Sequence, residues 1–305
     1  MSKDSFPVKV EVSSETANLF IKKISGAVGE IWRPYQIRRV AHAEADSAMI
    51  KAISQVKISE VERRAARRLM HEEAKKQANM ESITSKAVPL LSEGARPAQV
   101  EDDWITNFFD KGRLISNEDM QKLWAKVLAG EANAPGHYSK RTVNLLGSLD
   151  KADAEFFSKL CAYSWNVGQV GIPIPLIYDV NDSVYSEGGV FFGVLKHLDE
   201  IGLISFESLA AYQRLGLPQQ TISLYYDRAV IIEFQNAENN ALNTGHVMFS
   251  KAGVELAAVC GSKPVAGLMD YIVKKWTEFG YKVSAVPVTQ PLENQEARQK
   301  GQPRP

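Results

Sequence analysis

Long apolar runs are missing from this chain of 305 residues. No uninterrupted apolar stretch approaches the roughly 20 residues that a membrane-spanning helix needs. The opening MSKDSFPVKVEV has neither the apolar core nor the small-residue cleavage site of a signal peptide, so a cytoplasmic protein is expected. Cysteine is scarce: Cys161 and Cys260 lie far apart, each in an apolar helical pattern, and no C-x-x-C occurs. That usage points to free buried thiols in a reducing compartment, with a disulfide or redox pair as the alternative. The histidines at 42, 71, 137, 197 and 246 make no paired ligand spacing, and four residues after His71 stands Lys75, so no metal site is expected. Net charge is missing too. The 36 Lys+Arg balance 36 Asp+Glu, which removes any global pull toward nucleic acid or anionic lipid and leaves only local patches.

Nucleotide-binding words are equally absent. Gly261-Ser262-Lys263 has no upstream glycine at P-loop spacing, and no G-x-G-x-x-G follows a strand, so no cofactor is expected. What is present is ordinary globular material, 45% hydrophobic and 24% charged, long enough for two modest domains or one domain with a helical extension.

Residues 1–16 read as a flexible lead. Ala17 to Trp32 reads as a short amphipathic helix with Phe20, Ile21, Ile24, Val28 and Ile31 on one side, ended by Arg33-Pro34. It either packs on its own protein or lies against a membrane surface, and Lys22, Lys23 and Glu30 narrow its apolar face. From Tyr35 to Lys86 the chain is rich in Ala, Glu, Lys and Arg and has no Gly or Pro, so helix propensity is high throughout. Ala41, Ala45, Ala48 and Ala52 trace a narrow seam that Ile58, Val61, Ala65 and Leu69 continue. So thin a strip wants a partner strand, which makes 17–87 a coiled-coil-like extension and 35–86 the surface for a protein partner or a second copy. Between Lys57 and Lys76, seven Lys/Arg face four Glu. Arg63, Arg64, Arg67 and Arg68 could grip phosphates or an acidic partner. The same run also reads as a solvated face laced with ion pairs such as Glu60 to Arg64. Residues 88–99, with Pro89, Gly94 and Pro97, read as a linker.

The most clearly spelled signals run from Ser116 to Thr142. Ser116 is an N-cap candidate with Asp119 three residues on. Met120, Leu123, Trp124, Val127 and Leu128 have the spacing of a buried helix face. Gly130 reads as a stop, Pro135-Gly136 as a turn, and Ser139 as the cap of the next helix. Asp150 caps a third helix, giving a central helical domain over 100–166. Glu131, His137 and Ser139 crowd this turn, but a catalytic triad needs its members to converge from supports that orient them. The expected role for Glu131 is an ion pair with Arg141 that fixes the turn, and no catalytic residue is assigned.

After Trp165 the composition shifts. A helix over Gly188 to Glu200 runs into Ile201-Gly202-Leu203-Ile204. Thr221 to Phe234 is β-branched and aromatic and reads as strands about Asp227-Arg228. A helix then opens with S-x-x-G at Ser250 to Gly253, and another over Val265 to Phe279 stops at Gly280 before a strand. The order resembles winged-helix domains, so 167–288 is expected to be a winged-helix-like α+β domain. Gly188 to Glu200 carries only Lys196 and His197 against Asp199 and Glu200, which favours protein contact over DNA. Residues 289–305 read as a disordered tail.

The words Leu123-Trp124-Ala125-Lys126-Val127-Leu128-Ala129-Gly130-Glu131, Pro135-Gly136 and Ser139-Lys140-Arg141-Thr142 resemble a bacterial family catalogued as domain of unknown function twenty-eight-oh-six. Its pattern is L-W-A-x-I-L-A-G-E, P-G and S-x-R-T, with Val127 here in place of Ile. The likeness extends upstream through Arg33-Pro34, Arg38-Arg39, Ala43-Glu44-Ala45 and Gln77 to Ile83, covering most of 20–165. It implies a shared motif and no known activity. The first helix and paired arginines are also distantly similar to abortive-infection proteins, which implies phage defence.

These readings combine into a mainly α chain: an N-terminal helical extension, a central helical domain and a C-terminal winged-helix-like α+β domain. The function expected is that of a non-enzymatic bacterial interaction or scaffold protein. The alternative is a nucleic-acid binder using Arg63, Arg64, Arg67 and Arg68 with the winged domain.

Overall fold

Helix formers dominate the first half of the chain and β-branched and aromatic residues the second, and the fold divides accordingly. The computed structural model describes residues 15–31, 59–168 and 172–286. The chain forms two units, Met1–Leu149 and Asp150–Pro305, so the division falls inside the span 100–166. The seam from Ala41 to Ala52, the paired arginines at 38 and 39, and the tail from 289 lie outside the described residues.

In the first unit, α1 (Glu15–Val28) buries Ala17, Phe20 and Ile24. Lys23 ties it to the start of α3 (Asp102–Gly112) through Asp102 at 2.7 Å. Between them runs α2 (Glu60–Ala87), whose capping box joins Ser59 and Glu62 in both directions. Every buried residue of α2 lies at or after Asn79: Asn79, Met80, Glu81, Ile83, Thr84 and Ala87. That end packs along α4 (Glu118–Asn133) and is stitched to it by polar groups. The Ser82 hydroxyl donates to Gln121 Oε1 at 2.8 Å, Lys86 donates to the Ser82 hydroxyl at 2.6 Å, and Gln121 Nε2 reaches Asn79 Oδ1 and the Ile115 carbonyl. Buried polar groups carry such partners because leaving one unmade costs more than the bond gains. Residues 88–99 are pinned down as well: the Arg96 N–H donates to the Ala132 carbonyl at 2.8 Å and the Ser92 N–H to Asn133 Oδ1 at 2.9 Å. Trp104, Phe108, Phe109 and Trp124 form the aromatic centre, with Phe108 edge-on to Trp124 at 4.9 Å. The last helix of this unit is α5 (Lys140–Ser148).

The second unit overturns the expected fold class. It starts with α6 (Lys151–Cys161), β1 (Ser164–Val167), β2 (Pro173–Pro175), α7 (Ser183–Ser186) and α8 (Phe192–Glu200). An excursion of six strands follows: β3 (Ile204–Phe206), β4 (Tyr212–Leu217), β5 (Gln220–Tyr225), β6 (Arg228–Glu233), β7 (Asn240–Gly245) and β8 (Val247–Phe249). They pair antiparallel as nested rungs, β5 with β6, β4 with β7 and β3 with β8. The chain closes with α9 (Lys251–Ala257), α10 (Leu268–Glu278) and β9 (Lys282–Val286). Among the described residues the strands make three antiparallel sheets, the largest in the order β2-β1-β5-β6-β9. A winged helix would pair the strand after α8 with the hairpin that follows it. Here Ile204–Phe206 instead pairs with Val247–Phe249, and the hairpin about Tyr226 and Asp227 joins a different sheet. The cause is the hairpin's inner face. Tyr225 stacks on Trp165 at 4.9 Å, and Trp165 meets Trp276 edge-on at 5.2 Å, so its apolar partners come from β1 and α10. A mainly α protein with a winged domain is therefore not what this sequence forms.

The S-x-x-G word has a packing cause. The Gly253 N–H donates to the Ser250 hydroxyl, which itself donates to the Gly202 carbonyl at 2.7 Å. A Cβ on Gly253 would stand 2.1 Å from the Leu203 carbonyl oxygen, so only glycine lets α9 start against that backbone.

Candidate functional site

Glu131 is the least ordinary residue of the motif turn, a carboxylate only 3% exposed near the end of α4. Burying it demands hydrogen bonds. The turn supplies two: the Gly136 N–H donates to Oε1 at 2.6 Å and the Tyr138 N–H to Oε2 at 2.8 Å. The Tyr138 carbonyl in turn accepts the Trp104 indole N–H at 2.7 Å. Gly136 sits at φ +86°, where a side chain would be strained, so the P-G pair can deliver its N–H to the acid. Ser139 then caps α5, accepting the Thr142 N–H at 3.2 Å, and the Ser139 and Thr142 hydroxyls are 2.9 Å apart. Thr142 is buried beneath them.

Three details differ from the sequence reading. The partner of Glu131 is the backbone of the turn, and Arg141 is exposed on α5 with no bond to it. The N-cap of α4 is Asn117, one residue after Ser116, because the helix begins at Glu118; its side chain accepts from the N–H groups of Asp119 and Met120. Gly130 does not stop α4, which continues to Asn133. A Cβ there would come within 2.7 Å of the Tyr138 ring, so this glycine makes room for the aromatic residue that anchors the turn. Tyr138 was the residue the sequence reading missed. The available signal was a glycine inside a helical pattern, which often marks a close approach.

Beside this turn lies an open cleft of about 510 Å³, bordered by Glu101, Trp104, Glu131, Pro135, Tyr138 and Lys140. His137 is exposed and stacks edge-on against Tyr138 at 4.7 Å. The acid, the imidazole and the serine thus point to separate tasks: Glu131 to the loop backbone, His137 to solvent and Ser139 to the helix start. Among the described residues no three His, Cys, Asp or Glu side chains come together as a metal site. Trp124 is fully buried in the aromatic centre and Pro135 half-buried at the cleft edge. The family words are therefore mostly the parts list of one helix-turn-helix joint.

The second surface is the N-terminal part of α2. Val61 and Leu69 are 65% and 59% exposed, and Ala65 between them is exposed too. At 3.6 residues per turn these three occupy the helix face that, about three to five turns beyond Leu69, buries Met80, Ile83 and Ala87. Arg63 pairs with Glu60 and Arg68 with Glu72 at 3.5 Å, so the Glu60 to Arg64 pair expected from spacing is replaced by its i,i+3 neighbour. Arg64 and Arg67 point outward. The capping bonds from Ser59 hold the Glu62 carboxyl below the usual carboxylate range, so it is charged at neutral pH.

In the second unit the two thiols meet. The Cys161 thiol lies in hydrogen-bonding reach of Cys260, and burial pushes it well above the usual thiol range.

The fold and the site define a two-unit α and β protein with a carboxylate-pinned helical joint in its first unit. Residues 63–273, more than half of the chain, match the sequence model of the family described as Protein of unknown function (DUF2806), and the chain belongs to that family. The match runs well past 165 into β-rich territory, so most of the second unit is as much a family feature as the motif turn, while residues 20–62 fall outside it. No curated protein and no solved structure matches the chain. Among the described residues no helix is long and apolar enough to cross a membrane.

Proposed function

We propose that this is a cytoplasmic protein that works by association, using the free half of α2 as the face on which copies of the chain meet. One observation carries the reading. The face of α2 that is buried at Met80, Ile83 and Ala87 carries Glu72 and Lys76 next and then, at its free end, Val61, Ala65 and Leu69, with no described residue packed over those three. A helix segment with few tertiary contacts is marginal alone in water, and a partner helix is what stabilises such a seam. The joint at Glu131 supports the same reading as a rigid mount for α4, against which the buried end of α2 is fastened. Light scattering on the full chain is expected to give at least a dimer, and the V61E/L69E variant a mass close to the 33.8 kDa of one chain. A wild-type monomer at tens of micromolar would reject the reading.

A second reading rests on charge. Arg64, Arg67, Arg68 and Lys75 share one flank of the exposed segment, and among the described residues neither Arg64 nor Arg67 has an ion-pair partner. Duplex DNA would then bind with an affinity falling steeply between low and physiological salt. Binding that is absent, or that ignores salt, removes it.

A further inference from the structure

The exposed seam of α2 is not symmetric in charge. With 3.6 residues per turn, Arg64, Arg68 and Lys75 line one side of Val61, Ala65 and Leu69, while Glu62 and Glu73 line the other. All five charged residues are exposed, and three of them also have partners on their own chain: Arg68 pairs with Glu72 at 3.5 Å, Glu73 with Lys76 at 2.6 Å, and Glu62 accepts from Ser59. Two copies of such a helix can meet seam to seam in two ways. With the helices parallel, the two-fold axis runs along them and brings the basic flank of each copy against the acidic flank of the other. With the helices antiparallel, the axis runs across them and sets basic flank on basic flank and acidic on acidic. Flanking charges of this kind set partner choice and orientation in helical pairs. Like charges across a contact disfavour it, and the effect is strongest where the helices approach most closely.

We infer that a second copy of this chain docks on Val61, Ala65 and Leu69 with its α2 parallel and in register, Arg64, Arg68 and Lys75 of one copy facing Glu62 and Glu73 of the other. This rests on the association reading and adds the orientation to it. The parallel arrangement puts both first units at the same end of the pair, since the buried end of α2 points the same way in each copy.

Cysteine cross-linking separates the arrangements. In the full chain carrying C161S/C260S, L69C and V61C are introduced singly, one of them with an affinity tag, and oxidised mildly in a glutathione buffer. Residues 61 and 69 are offset by about 12 Å along a helix, well beyond the roughly 4.4–6.8 Å between Cα atoms that a disulfide spans. Parallel pairing in register is expected to convert most of the L69C chains to a covalent homodimer and to give almost no V61C–L69C product in the mixture. The reverse pattern, with V61C–L69C as the main product, overturns the orientation while leaving association standing. Absence of any dimer by light scattering, with circular dichroism showing both variants folded, overturns both.

Discussion

Glu131→Ala is expected to destabilise the first unit by about 2–4 kcal/mol, because the buried Tyr138 N–H and the part-buried Gly136 N–H both lose a charged acceptor. For a unit of this size that corresponds to a fall in melting temperature of roughly 10 °C. Glu131→Gln keeps one acceptor oxygen but sets an amide NH₂ against one of the two N–H groups, so its loss should be about half as large. The comparison is informative because Arg141→Ala should change little, its side chain being exposed and unconnected to the acid. Equal losses for Arg141→Ala and Glu131→Ala in a thermal melt would contradict the backbone assignment.

Gly253→Ala should be as costly in the second unit, for a different reason. The added methyl would stand 2.1 Å from the Leu203 carbonyl oxygen, an atom of the backbone that cannot swing aside. Either α9 shifts away from β3 or the Ser250 cap is lost, and overpacking of this kind costs about 1–3 kcal/mol or more. A loss of about 3 kcal/mol in chemical denaturation is expected, set against a gain of up to about 1 kcal/mol for Gly26→Ala, which lies in helix α1 where a Cβ would meet nothing within 4 Å. A Gly253→Ala variant as stable as the wild type would mean that the start of α9 does not bear on β3.

These two positions mark how far the sequence could be read. Caps, stops and turns are written in a few neighbouring residues, which is why Ser139, Pro135-Gly136, Gly280, the end of α2, the start of α5 and the end of α10 followed from the letters, whereas the start of α2 at Glu60 did not. Gly253 was also visible as part of a word, and only its cause was hidden. Long-range pairing carries no such local mark. Nothing in Ile204-Ser205-Phe206 says that its partner is Val247-Met248-Phe249, and a helix, strand and hairpin in that order looked like a wing until the register was known. The same limit applied at the site. An acid and an arginine ten residues apart suggested an ion pair, whereas the acid's partners are N–H groups, which every residue but proline carries and no sequence pattern displays.

The nested ladder also sets a schedule. Tyr225 and Arg228 close a hairpin across two residues, but Phe206 and Val247 can meet only after the whole excursion between them has been gathered. Closing a large loop in one step costs chain entropy that a loop already shortened by its own inner rungs largely avoids. The economical course runs outward from Tyr226, with β5 and β6 zipping first, β4 and β7 next, and β3 and β8 last. On that course the Ser250 hydroxyl would reach the Gly202 carbonyl after the final rung. In time rather than in space, then, the outermost rung is the clasp of the second unit, and residues nearly fifty positions apart in the chain wait for everything between them.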